Sequence, residues 1–103
     1  MTQAKLERLC NAWKRRLRLQ DWTVSVSLTP ADPNPETFGS CKYDVLNQKA
    51  GIEVYNDADA ELTLVHELLH LRLMPFGDDD TNERQAAMNL LAESLVRGYG
   101  KAK

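Results

Sequence analysis

His66, Glu67 and His70 stand in the run His-Glu-Leu-Leu-His, and the chain has no other histidine. On an α-helix, residues four apart project from one face about a turn apart. Two imidazoles so placed can reach one Zn²⁺ at roughly 2.0–2.1 Å. Glu67, one residue beyond His66, is displaced sideways, where a carboxylate meets a metal-bound water rather than the metal. Two ligands plus a general base is a hydrolytic set. Shuffling this composition yields the pattern in roughly one chain in 750, so its occurrence here carries weight.

A zinc ion that keeps a position open for water needs a third protein ligand. With both histidines in the motif, a carboxylate must complete the set. Glu83 is the best placed. Positions 83, 86, 87, 90 and 94 share a helix face, so Glu83 is expected to point with Ala86, Ala87 and Leu90 toward the core, where a carboxylate wants a cation. Asp80-x-x-Glu83 also fits a capping box, in which Glu83 would bond back to a backbone N–H. Asp78, Asp79 and Asp80 are further candidates, although acidic residues before a helix are also explained by its dipole. Cys41 has no second cysteine at ligand spacing.

These residues need elements to hold them. Leu6, Leu9, Cys10, Trp13 and Leu17 form one helical stripe and predict a first helix over 4–19, broken at Asp21. Trp22, Val24, Val26 and Leu28 alternate with Thr and Ser, which predicts a strand over 22–29. Residues 30–39, with three prolines, read as a loop long enough to act as a lid or recognition loop, or as a plain connection. A second strand follows over 40–46, a turn over 47–51 closed by Gly51, and a third strand over 52–55. The motif helix, 60–74, is apolar round nearly its whole circumference, which predicts burial; Pro75 and Gly77 end it. The last helix, 82–97, is expected to turn Ala86, Ala87, Leu90, Leu91 and Leu95 inward and to close at Gly98 and Gly100. The order is α-β-β-β-α-α, an α+β fold with a small three-stranded sheet packed on helices, in one domain over 1–103.

Composition bounds the function. Hydrophobic content of 43% and charged content of 27% are ordinary globular values and exclude a disordered or fibrous chain. No apolar run approaches about 18 residues, and the basic first twenty residues hold no signal-like block. Two cysteines are too few for a disulfide framework and read as reduced thiols, with Cys10 in the core. The first twenty residues carry +5 and the rest −7. The basic helix is read as a solvated face, and a pI near 5.6 makes nucleic acid an unlikely partner. A cytoplasmic location with no membrane partner is the expectation.

The run Val65-His66-Glu67-Leu68-Leu69-His70-Leu71, followed after twelve residues by Glu83 inside Asn82-Glu83, resembles the compact zincin metallopeptidases of gluzincin type. The ImmA/IrrE-like and SprT-like groups and short bacterial and phage metallopeptidases are the nearest in pattern. The resemblance spans about residues 20–97 and is specific only at the metal motif. The metzincin extension, with Gly at 73 and His at 76, is excluded by Leu73 and Phe76. The resemblance implies a minimal zincin-like fold, Zn²⁺ on His66, His70 and Glu83, and hydrolysis of a peptide or protein substrate with Glu67 as general base. Larger gluzincins carry transition-state residues downstream; only residues 98–103 stand there, so Tyr43, Tyr55, Tyr99 or an arginine must serve, Tyr55 first. Substrate would pair with an exposed strand, 40–46 or 52–55. Asp57 and Asp59 are candidate acceptors for the histidine nitrogens not on metal. Two other readings are a zinc-binding interaction module with little catalysis, motivated by small size, and a metal-free adaptor, motivated by the basic first helix.

Overall fold

The computed structural model of the chain describes residues 1–30, 39–55, 59–74 and 81–101. The stripe Leu6, Cys10 and Trp13 is the buried side of helix α1 (Gln3–Arg16). Thr2 starts it, its hydroxyl accepting from the Lys5 N–H. The helix stops three residues short of the expected 19. Arg18 takes a left-handed φ of 57°, and that turn places Leu19 in the core. Lys5, Arg8, Arg15 and Arg18 are exposed, as a solvated face requires.

Strands β1 (Thr23–Thr29), β2 (Gly39–Asp44) and β3 (Lys49–Tyr55) form one sheet in the order β1-β3-β2. β1 pairs parallel with β3, and β2 pairs antiparallel with it. Period-two alternation gives the sheet its two faces. Register lines up Val24 with Ala50 and Tyr43, Val26 with Ile52 and Cys41, and Leu28 with Val54 and Gly39, all on the helix side. Thr23, Ser25, Ser27, Ser40, Lys42, Gly51 and Glu53 face out.

Two boundaries differ from expectation. β2 ends at Asp44, whose carboxylate accepts from the Asn47 N–H and side-chain amide (3.4 and 2.7 Å) and folds the turn back early. Gln48, at φ 51°, takes the left-handed position expected of glycine. β3 therefore begins at Lys49, and Gly51 lies inside it.

The motif helix, α2 (Ala60–Leu73), packs against α1, β2, β3 and α3 (Asn82–Lys101), which accounts for its all-round apolar surface. Trp13 Nε1–H donates to Glu61 Oε2 at 2.9 Å and ties α1 to α2. α3 runs on through Gly98. Its packed face is Met88 and Ala92, with Gln85, Leu95 and Val96 half-buried. Ala86, Ala87, Leu90 and Leu91 are exposed, so of the residues expected inward only Leu95 turns in. The helix carries two apolar stripes, and the one spaced i, i+4, i+7, i+8 from Met88 is the one that docks. The observed order is the expected α-β-β-β-α-α of an α+β fold. No helix among the described residues is long and apolar enough to cross a membrane.

Candidate metal centre

β2 lies close against α2 because Gly39 has no side chain. A Cβ there would stand 2.7 Å from both the Glu53 carbonyl oxygen and Thr63 Cγ2. Thr63 is one turn before the motif, so this contact sets an edge strand beside it. Along the next turn, ligand atoms of His66, Glu67 and His70 all lie within 4.8 Å of one another. The two imidazole rings are edge to face, 5.2 Å between centroids. Both histidines are half-buried, and Glu67 is only 9% exposed.

Cys41, on the helix side of β2, neighbours Glu67. Burial first, and then the Glu67 charge, push its thiol up to about 12. Its sulfur is not part of the His66–Glu67–His70 group.

α3 contributes a residue that the sequence did not single out. Gln85 Oε1 stands 2.9 Å from His66 Nε2, placed to accept its N–H. A signal was present: Gln85 is a polar residue three before Met88 and seven before Ala92, on the stripe that docks. Glu83, expected to point inward as the third ligand, is exposed in the first turn of α3 and lies outside the His66–Glu67–His70 group.

The other candidates are scattered. Tyr55 ends β3 half-buried, and Tyr43 is at the surface of β2. Tyr99 packs edge-on to Trp13, 5.1 Å between centroids, with the Arg16 guanidinium 4.5 Å from its ring, and so belongs to the α1–α3 contact. Asp59 is exposed before the first residue of α2. Asp57, the acidic run Asp78 to Asp80, Pro75, Gly77 and the loop 31–38 lie outside the described residues.

No family model matches this chain, and no curated protein or solved structure does. The site therefore rests on its own chemistry. Two imidazoles and a carboxylate are a donor set suited to zinc and its first-row neighbours. A carboxylate this buried, on a helix otherwise lined with leucine and valine, is costly unless compensated by opposite charge or hydrogen bonds. The residues present, His66, Glu67 and His70, form a group that could hold a divalent ion.

Proposed function

We propose that the protein is a zinc-dependent peptidase of the compact zincin type. The observation that carries this reading is the convergence of His66, Glu67 and His70 on one turn of a buried helix, next to an edge strand. His66 and His70 hold the ion. The sequence pattern names Glu83 as its third protein ligand. A zinc-like ion supplies, when bound, Lewis acidity toward a carbonyl and an acidified water.

The chain's own part is proton handling and orientation. Glu67 takes a proton from the attacking water and hands it to the leaving amine; with the second water proton also passed to the amine, water and a peptide bond become a carboxylate and an ammonium group. Its low exposure keeps the carboxylate away from bulk solvent. An extended substrate would be held by strand addition. β3 is paired on both sides, which removes 52–55 as the docking edge. The outer side of β1 is bridged by the Gln3 side chain, which donates to the Val26 carbonyl and accepts from the Leu28 N–H, each at 2.8 Å. Among the described residues β2 is the edge that remains beside Glu67, and we assign substrate pairing to it.

Metal analysis with a Glu67→Gln variant tests the reading. Wild type should bind about one zinc per chain and cleave members of an unbiased peptide library. Glu67→Gln should keep the zinc and lose cleavage, while His66→Ala should lose both. Zinc bound with no cleavage by wild type would replace the peptidase with a zinc-binding interaction module. Absence of zinc would leave only the metal-free adaptor.

A further inference from the structure

Gln85 is held at the centre by packing and by its neighbours. Met88 and Ala92, at i+3 and i+7, are 2% and 0% exposed, so this face of α3 is turned onto the core. Arg84 Nη2 donates to the Leu73 carbonyl at 3.3 Å, and the Thr81 hydroxyl accepts from the Arg84 N–H at 3.2 Å. The first turn of α3 is thereby tied to the end of α2. It presents residue 85 to His66 and leaves residue 83 in solvent.

We propose that Gln85, through its amide oxygen, is the third protein ligand of the ion held by His66 and His70, in place of Glu83. The assignment rests on the zinc-centre reading above. Two donors on one tetrahedral zinc at roughly 2.0–2.1 Å lie about 3.3 Å apart. Gln85 Oε1 and His66 Nε2 are 2.9 Å apart, a few tenths of an ångström under that spacing; to ligate one ion the pair gives up the shared proton and both atoms turn their lone pairs toward a common point. Side-chain amide oxygens are established donors to divalent cations, though weaker than carboxylates. His66, His70 and Gln85 are then all neutral ligands, and among the described residues Glu67 is the one anionic member of the cluster. The affinity of such a site is lower than that of a site closed by a carboxylate. That fixes the sign of each substitution.

The test is zinc and cobalt(II) binding by the full chain, in competition with a chromophoric chelator. Wild type, Gln85→Ala, Gln85→Glu and Glu83→Ala are compared, with folding followed by circular dichroism. Gln85→Ala should weaken zinc by more than the roughly 10- to 100-fold expected for loss of an outer partner. Gln85→Glu should bind tighter than wild type and shift the visible cobalt(II) bands. Glu83→Ala should match wild type in both readouts. Zinc binding by Gln85→Ala that is equal to wild type or tighter would make Gln85 a bystander or a competitor and overturn the assignment. So would a loss of affinity in Glu83→Ala. Should Gln85→Ala not fold, the Gln85→Glu comparison decides: unchanged cobalt(II) bands and unchanged affinity refute a ligand at position 85. If wild type binds neither ion, the zinc-centre reading itself falls; if wild type binds and only the position-85 variants fail to respond, that reading stands and the ligand assignment alone is lost.

Discussion

Glu67 and Cys10 show how burial acts on single residues of this chain. Glu67 is buried beside two imidazoles, a setting that makes chemical sense if it serves as a base next to a cation. Cys10 is buried among apolar side chains in α1, and its thiol is pushed from 9.0 up to about 11, burial outweighing the opposing pull of Lys14. A folded-state value above the unfolded one means that the native protein holds this proton more tightly. The associated stability is fully present below about pH 9 and is lost as pH rises toward 11. Melting temperature measured from pH 7 to 11 should therefore fall more steeply in wild type than in Cys10→Ala. The residual decline in the variant should include Cys41, whose thiol is pushed up to about 12. Parallel curves for the two proteins would show that Cys10 does not contribute to alkaline unfolding.

At the scale of elements, the site depends on how closely β2 approaches α2. Gly39→Ala puts a methyl 2.7 Å from a backbone carbonyl of the β2–β3 ladder and from Thr63 on α2, and the carbonyl cannot move without breaking the ladder. We expect a loss of about 1–3 kcal/mol in chemical denaturation, typical of overpacking. Gly98→Ala is the contrast. A Cβ there meets nothing within 4 Å, and alanine should stabilise α3 by roughly 0.5–1 kcal/mol. Equal effects at the two glycines would mean that the Gly39 contact does not constrain the strand. The same elements show what could be read from sequence. β1 and α2 were legible because only one pattern fits each: strict alternation in 22–29, and apolar residues all round 60–74. The candidate metal pair was legible because helical spacing alone sets two histidines on one turn. The phase of α3 was not legible. Ala86, Ala87, Leu90 and Leu91 compete with Met88, Ala92, Leu95 and Val96 for the core, and only contact with α2 decides between them. That choice of phase is also what leaves Glu83 exposed and sets Gln85 against His66.

For the molecule as a whole, the site joins elements that are distant in sequence. The sheet sets β2 against α2, Trp13 and Arg16 tie α1 to α2 and α3, and Gln85 and Arg84 tie α3 back to α2. A chain of 103 residues has one modest core, so a few kcal/mol is a large share of its stability. An ion that binds only the folded arrangement adds stability by mass action, about 2.7 kcal/mol at a free concentration of 100 times Kd. For a domain of this size, 1 kcal/mol moves the melting temperature by about 4–8 °C. Saturating zinc should therefore raise the melting temperature by roughly 10–20 °C. Excess chelator should reverse the rise, and His66→Ala should show none. Glu67→Gln should keep it, because the base is not needed to hold the ion. A wild-type melting temperature indifferent to zinc and chelator would mean that no ion joins these helices, and the joining would then rest on packing and hydrogen bonds alone. A rise in wild type shared by His66→Ala would place the ion elsewhere on the molecule.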